Sequence, residues 1–414
     1  HAQTRRPLEL PNPKLFAEYD EGSGGRAVST TMVFTSVLRN LLRDNEFGKR
    51  VVPIVPDEAR TFGMDSLFRE FEIYAPMGQL YEPVDHDLLL SYAEDKDGQI
   101  LEEGITEAGS LASWIAAATS YANLGVPMVP FFTFYSMFGF QRVGDLIWSA
   151  ADSRARGFLM GATAGRTTLA GEGLQHQDGH SLVLASTVPA CQAYDPAFAY
   201  ELGSIINYGL QEMYGQEMYG PDGGTDVFYY IAIYNENYDM PAQADHIGDS
   251  DIVSGLYKWA DAPQAALQAT ILFSGPAHAA ARAAQAELAE HYDVGASLWS
   301  ATSYKRLRED ALEAERWNRL HPEAPPRIAD VAAKLEQSEG PIVAVTDYMT
   351  SVPDQISRWA PRRFTPLGTD GYGRSDTREA LRSFFEVDMP HVVVAVLAGL
   401  AADGEIEASA VADA

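Results

Sequence analysis

The chain has 414 residues, of which 46% are hydrophobic and 21% charged, and a chain of this length is expected to form two domains. Its formal net charge of −28 repels phosphate backbones and anionic lipid surfaces, which argues against nucleic acid and membranes as partners. The single cysteine, Cys191, excludes an intrachain disulfide, as is typical of a cytoplasmic protein.

The first part of the chain alternates predicted helices with short buried strands. Ser29 can cap a helix in which apolar residues from Val33 to Leu42 keep helical spacing. An alanine-rich helix is predicted over residues 108–122. Strands are predicted at 51–55, 127–132, 158–161, 182–186 and 228–232. This alternation predicts an α/β fold with a mostly parallel sheet.

A polar, irregular stretch then separates the first domain from a second α/β pattern. The second pattern has strands at 270–273 and 342–345 and a helix over 277–290. Asp388 and Pro390 are typical of the start of a last helix, which Gly404 can end. The predicted division is a linker from a missing N-terminal domain (1–25), an α/β domain (26–240), a linker (241–264) and a second α/β domain (265–414).

Carboxylates mark two segments as candidate sites. Asp57 and Glu58 follow the first buried strand, where open α/β sheets bind ligands; a capped helix start is the alternative. Residues 100–109 hold three carboxylates, the last of which is Glu107, among small and apolar neighbours. A glutamate in such surroundings is costly unless it is paired, so it could donate and accept protons. A solvated charged face remains the alternative.

Two further segments combine unusual residue types. Residues 130–140 contain five Phe and one Tyr, which indicates either plain core or a platform for a flat heterocycle. Residues 165–180 are rich in glycine and carry Glu172, His176 and His180. These three side chains could in principle bind a metal, but the glycines argue against a rigid ligand face. An acid/base loop is the favoured interpretation.

Long motifs in these segments resemble the homodimeric, bacterial-type pyruvate dehydrogenase (acetyl-transferring) component. The resemblance extends from about Ser29 to the end of the chain. It implies a transketolase-like thiamine-diphosphate fold, with a pyrimidine-binding domain and a transketolase C-terminal-like domain. It also implies decarboxylation of pyruvate and transfer of the acetyl group to lipoyl groups of the dihydrolipoyl acyltransferase. The motifs lie at residues 56–64, 101–107, 134–142, 165–180, 235–238, 315–318 and 368–376.

The resemblance also implies roles for individual residues. Glu107 matches the glutamate that hydrogen-bonds the aminopyrimidine ring nitrogen of thiamine diphosphate. Phe138 matches the aromatic residue that stacks on this ring, and Tyr135 lies beside it. Glu172 and His176 match residues that face the reacting end of the cofactor.

Two other features of the family concern the walls and the metal of the site. Asp57 and Glu58 match residues of the active-site wall. The family binds the cofactor diphosphate through Mg²⁺ with a Gly-Asp-Gly motif, which does not occur in this chain. The Mg²⁺ ligands are therefore expected in the missing N-terminal half. Because the family builds each site from two subunits, the expected partner is a second copy or the matching N-terminal half.

Two alternatives stay open at this point. The chain could belong to a related thiamine-dependent enzyme, such as a transketolase or an oxoglutarate dehydrogenase component. It could also be a non-catalytic, truncated scaffold that keeps a dimer interface.

Overall fold

The computed structural model describes residues 8–57, 59–84, 92–169, 171–215 and 224–414. The chain divides into two compact units that interleave along the sequence. The first consists of His1–Ala164, Leu184–Gln192 and Leu202–Ala242, and the second of Gly165–Val183, Ala193–Glu201 and Gln243–Ala414. The domain boundaries derived from the sequence stay a prediction.

A six-stranded sheet forms the centre of the first unit. Its first five strands pair in parallel. The three adjacent strands 129–135, 158–162 and 228–232 are buried at every residue, as in sheets that are covered on both faces. The strands lie in the order Leu101–Glu102, Val51–Val55, Val129–Tyr135, Phe158–Ala162, Phe228–Ala232 and Cys191–Tyr194.

Helix Thr30–Arg43 begins where the sequence predicts it. The Ser29 hydroxyl accepts a hydrogen bond from the Met32 amide at 3.2 Å, which satisfies one of the free amides of the first turn. The Thr31 hydroxyl donates to the Tyr234 carbonyl at 2.8 Å. The apolar face, including Phe34 and Leu38, is fully buried. The predicted spacing and cap are both confirmed.

The remaining helices of the chain up to residue 242 follow the same α/β alternation. Helix Glu107–Ala118 packs on strand Val129–Tyr135. Residues 182–186, predicted as a strand, are largely helical instead (Ser181–Ala185), because a short apolar run has no period that distinguishes the two. The other α-helices are Phe68–Phe71, Ser120–Asn123, Phe140–Asp152 and Ala199–Tyr214.

The second unit is built on a five-stranded sheet. An edge strand, Tyr257–Ala260, is antiparallel to its neighbour, and the other pairs are parallel. This edge strand and helix Asp249–Val253 lie within the predicted linker. Edge strands are short and partly exposed, so their composition resembles that of a loop. The strand order is Tyr257–Ala260, Val294–Ser300, Leu267–Phe273, Ile342–Val345 and Phe364–Leu367.

Helices flank this sheet, and the last long one begins at its predicted cap. The Asp388 carboxylate accepts a hydrogen bond from the His391 amide at 3.4 Å, and helix Met389–Ala402 follows. Gly404 after it has a φ of +81°, the left-handed conformation common after helix ends. The other α-helices are His278–His291, Tyr304–Leu320, Asp330–Leu335, Arg378–Phe384 and Ala408–Asp413.

Among the residues that the structure describes, one segment, Arg378–Ala402, has the length and apolar composition of a membrane span, and 44% of its most apolar window is buried in the fold. It consists of two helices, Arg378–Phe384 and Met389–Ala402. A helix of 14 residues is about 21 Å long, shorter than the ~30 Å of a bilayer core. Val392, Val396 and Leu400 face the protein core. These residues of the segment therefore pack within the second unit.

Shorter elements complete the structure. Ala27–Val28 pairs with Tyr238–Asp239 in an antiparallel ladder, and Ile73–Tyr74 pairs with Glu94–Asp95 in a parallel one. The 3₁₀-helices are Pro13–Leu15, Ala17–Tyr19, Gly48–Arg50, Met64–Leu67, Ser136–Phe138, Leu174–His176, Gly275–Ala277 and Pro353–Trp359.

Candidate active site

A buried carboxylate begins the helix that packs on the central sheet. Glu107 is the first residue of helix Glu107–Ala118 and is 5% exposed. The Thr106 hydroxyl caps this helix by accepting a hydrogen bond from the Gly109 amide at 3.2 Å. A negative charge is favoured at a helix N-terminus. Of the three carboxylates in this segment, Glu107 is buried and the other two are half-buried.

The partner of this carboxylate is Arg142. Its Nη1 atom donates to both oxygens of Glu107, at 3.0 and 3.1 Å. The Arg142 side chain is half exposed. The pairing explains how an ionised glutamate can be buried, since an unpaired one would lose its hydration without compensation.

An aromatic ring adjoins this ion pair, and a second ring adjoins the first. Strand Val129–Tyr135 ends at Tyr135, and a 3₁₀ turn brings Phe138 beside it, with ring centroids 6.0 Å apart. The guanidinium carbon of Arg142 lies 4.0 Å from the Phe138 ring centroid, a cation–π contact. Glu107, Tyr135, Phe138 and Arg142 are called the Glu107 cluster below.

Other aromatic residues of segment 130–140 belong to the hydrophobic core, which was one of the two interpretations of this segment. Phe131, Phe132 and Phe134 are buried, and Phe131 stacks on Phe158 with centroids 4.5 Å apart. Phe138, in contrast, is only partly buried. The segment therefore divides into core rings and a ring that lies next to the Arg142 guanidinium.

The segment that follows strand Val51–Val55 also reaches this cluster. Phe62 packs edge-on against Tyr135, with centroids 5.2 Å apart. Asp57 is exposed at the end of the strand, and Glu58 lies outside the described residues. Roles for Asp57 and Glu58 in an active-site wall stay predictions.

The glycine-rich segment 165–180 belongs to the second unit, where a buried aspartate anchors its beginning. The Asp347 carboxylate accepts from the amides of Thr167 and Thr168 at 2.9 and 3.0 Å. It also accepts from their hydroxyls at 2.7 and 2.6 Å. Burial raises the pKa of Asp347, whereas the charge of Arg382 and the hydrogen bonds from the two threonines act to lower it.

The later part of this segment contains the other predicted site residues. Glu172 and His176 are half-buried, and His176 ends the 3₁₀-helix Leu174–His176. The Gln177 side-chain oxygen accepts from the Arg374 amide at 2.7 Å, which ties the segment to residues 368–376. In the described part of the chain, no three His, Cys, Asp or Glu side chains form a metal-binding group. A metal centre of Glu172, His176 and His180 is therefore not formed.

The structure thus brings three of the predicted residues, Glu107, Tyr135 and Phe138, into one cluster, while Glu172 and His176 lie in the other unit. Sequence reasoning missed Arg142 and Asp347. Asp347 lies two residues after strand Ile342–Val345, so the rule that marked Asp57 would have marked it too. Arg142 is 35 residues from Glu107, and no local pattern connects them.

Comparison with solved structures identifies the class of fold. Transketolase from Leishmania mexicana superposes with a TM-score of 0.65 at 17% identity, covering 96% of this chain and 48% of that chain. A chain described as split gene transketolase, inactive beta4 tetramer, superposes with a TM-score of 0.57 at 16% identity and covers 90% and 98%, respectively. The fold is therefore the transketolase-like α/β fold.

Comparison with families and curated proteins is more specific. Residues 8–241 match the pyruvate dehydrogenase E1 component middle domain, and residues 255–388 match the transketolase-like C-terminal domain. The pyruvate dehydrogenase E1 component of Pseudomonas aeruginosa is 52% identical over 414 residues, which cover 99% of this chain and 46% of that protein. That of Escherichia coli K12 is 47% identical over 408 residues, covering 98% and 45%.

The chain belongs to the pyruvate dehydrogenase E1 component family. It spans about half the length of the curated relatives that it matches.

Proposed function

We propose that this chain supplies the aminopyrimidine-binding half of a thiamine-diphosphate site in a pyruvate dehydrogenase. The whole cytoplasmic enzyme would decarboxylate pyruvate and pass the acetyl group to lipoyl groups of the dihydrolipoyl acyltransferase. The observation that carries the proposal is the buried carboxylate of Glu107, which Arg142 joins to the ring of Phe138. Bound thiamine diphosphate would supply the electron sink that a 2-oxo acid needs for decarboxylation.

The contacts within the cluster support this assignment. Arg142 offers a planar cation that donates to Glu107 and stacks on Phe138. A protonated aminopyrimidine is also planar and cationic, so the same acceptor and ring suit it. Because Glu107 is buried, water competes weakly for its oxygens, and a hydrogen bond there is stronger than in solvent. Glu107 would thus hold a proton on the ring nitrogen while Phe138 orients the ring.

Other residues take subsidiary roles in the proposal. Glu172 and His176 would face the reacting end of the cofactor, where His176 can donate a proton to a developing oxygen. Asp57 and Glu58 would form part of the wall. The chain covers 46% of the Pseudomonas protein, and we assign the diphosphate and its Mg²⁺ to the part of such relatives that this chain does not match.

The test is reconstitution with the polypeptide that corresponds to the unmatched half of a relative. We expect acetylation of a lipoyl domain that requires pyruvate, thiamine diphosphate and both halves. Glu107→Gln should abolish it, and Glu103→Gln, a change in the same segment, should not. Equal activity with 2-oxoglutarate, or activity that ignores the Glu107 change, would contradict the proposal.

A second candidate is a non-catalytic, truncated scaffold chain. The observation that favours it is the coverage of 98% of a split transketolase chain described as an inactive tetramer. Measuring the oligomeric state and activity of the chain alone, and then with the complementary half, separates the two. Activity that appears only in the mixture indicates a half-site chain, and a mixture that stays inactive indicates a scaffold.

A further inference from the structure

We propose that Arg142 is a displaceable internal ligand that fills the recognition site of the Glu107 cluster until an aminopyrimidine replaces it. This inference rests on the function proposed above. It adds what occupies the site in the absence of a ligand and which ligands can enter the site.

The geometry of Arg142 satisfies both halves of the recognition site at once. Its Nη1 atom lies 3.0 and 3.1 Å from the two Glu107 oxygens. Its Cζ atom lies 4.0 Å from the Phe138 ring centroid. A ligand that needs the same carboxylate and the same ring must therefore compete with the guanidinium for both contacts.

The pairing has a physical reason in the ligand-free chain. Glu107 is 5% exposed, and an ionised carboxylate at such a position is strongly destabilising without a partner. Arg142 removes this penalty and keeps the cluster assembled. The charge and position of Glu107 are thereby ready for a ligand that donates a hydrogen bond.

The backbone around Arg142 is suited to displacement. Arg142 lies in the first turn of helix Phe140–Asp152, and the next residue, Val143, has non-helical angles of φ −126° and ψ 27°. A kink at this point separates the first turn from the regular helix. The side chain is 50% exposed, so its guanidinium can move fully into water, where its charge is better hydrated.

The arrangement also selects among ligands. A flat molecule that only stacks on Phe138 would break the ion pair and leave Glu107 buried without a donor. A molecule that only donates a hydrogen bond would not replace the cation–π contact. Planar nitrogen heterocycles that offer both a donor and a ring face are the class that can displace Arg142.

The first test measures affinity by calorimetric titration of thiamine diphosphate into this chain reconstituted with the complementary half. Arg142→Met removes the competing cation, and we expect binding about fivefold to thirtyfold tighter than in the wild type. Arg43→Met is the matched control, because Arg43 forms an ion pair with Glu70 on the same unit and is similarly exposed. It should bind like the wild type.

The second test follows the arginine itself, using [¹⁵N]arginine labelling and the Arg142→Lys variant for assignment. In the ligand-free chain the Arg142 Nε–H signal should carry a ring-current shift that Phe138→Leu removes. Saturating thiamine diphosphate should move this signal to the position of a solvated arginine. The absence of the ring-current shift in the ligand-free chain would overturn the proposal without any ligand.

The outcomes also separate this inference from the proposed function. Equal affinity of the wild type and Arg142→Met, or weaker binding by the variant, overturns the displacement but leaves thiamine diphosphate binding intact. An Arg142 signal that keeps its ring-current shift at saturating thiamine diphosphate also overturns the displacement but leaves thiamine diphosphate binding intact. If thiamine diphosphate binds neither of the two reconstituted proteins, both the displacement and the proposed function are wrong.

Discussion

We propose that Glu107 carries the chemistry of the candidate site, because it is an ionisable group with almost no access to solvent. A buried carboxylate is stabilised by a donor within the protein or on a ligand, in addition to the helix N-terminus. Arg142 is that donor in the ligand-free chain. In our proposal, the ring of Phe138 then determines which shapes of ligand can replace Arg142. Three predictions concern single residues.

Replacing Glu107 by Gln keeps the shape of the side chain but removes its negative charge. We expect activity of the reconstituted enzyme to fall by about 10²-fold or more, since a positioned acid–base group contributes ~10²–10⁴-fold. Proton exchange at the thiazolium carbon gives an independent measure. Glu103→Gln is the control, because Glu103 is half-buried and bonds Ser113. Exchange at the wild-type rate in Glu107→Gln would show that this carboxylate has another role.

Truncating the ring of Phe138 should weaken cofactor binding. By analogy with bases stacked on aromatic side chains, Phe138→Ala is expected to lose about 1–3 kcal/mol of binding free energy. Phe138→Tyr keeps the ring face and should bind nearly as the wild type does. The measurement is a thiamine diphosphate titration of both variants. An unchanged dissociation constant in Phe138→Ala would return this residue to the core interpretation.

The prediction for His176 separates catalysis from binding. If His176 bonds a group that exists only after pyruvate reacts, His176→Ala should slow single-turnover consumption of pyruvate by about 10²-fold. Cofactor affinity should change much less. His180→Ala, four residues away, serves as a comparison. A parallel fall of rate and affinity would mean that His176 only orders its loop.

At the scale of elements, the ends of helices and strands decide where the site residues lie. Thr106 caps the helix that begins with Glu107. Asp347, just after a strand, fixes the amides and hydroxyls of Thr167 and Thr168. Neither Thr106 nor Asp347 is proposed to contact a ligand. Each positions a segment that contains residues proposed to contact one. Substitutions at such positions should affect ligand binding indirectly, by displacing the residues that contact the ligand.

The helix cap at Thr106 offers a direct test of this. Thr106→Ala leaves the Gly109 amide without its acceptor and should cost about 1 kcal/mol of stability. Thr106→Ser retains the hydroxyl and should cost far less. Urea unfolding measures the first effect, and thiamine diphosphate affinity measures the displacement of Glu107. Equal stability of the two variants would show that the cap contributes nothing.

At the scale of the whole molecule, a buried histidine couples stability to pH. His278 is 3% exposed and lies beside the ring of Phe198, with centroids 5.0 Å apart. Burial, followed by the positive charges of Arg282 and Arg382, lowers the pKa of His278 to about 3. His278 is therefore protonated less readily in the folded chain than in the unfolded chain.

The sign of the effect follows from this difference. Between pH 3 and the unfolded-state pKa of about 6.5, the unfolded chain binds more protons, so the free energy of unfolding falls as the pH falls. From pH 8 to pH 5 the loss assigned to His278 is about 2 kcal/mol. His278→Phe should lack this part of the pH dependence, and His291→Gln, at an exposed site, should keep it. Urea unfolding at both pH values is the measurement, and equal slopes in all three proteins would contradict the prediction.

Much of the architecture could be derived from local patterns. Ser29 and the apolar residues after it define a helix, and Asp388 defines the start of another, because caps and periodicity act within a few residues. The edge strand Tyr257–Ala260 was missed, since its pairing with Val294–Ser300 is a contact across distant sequence. The short run at 182–186 was assigned to the wrong element for the same reason, as only its tertiary packing selects a helix.

The sequence by itself determined the α/β class and the family, and it marked Glu107, Tyr135 and Phe138 as members of a candidate site. These conclusions depend on residue type and on order along the chain. Only the tertiary structure showed that Arg142 pairs with Glu107 and covers Phe138, and that Asp347 holds the segment at 165–180. The physical reason is that pairing of buried charges depends on distance in space, and residues far apart in sequence meet only once the chain has folded.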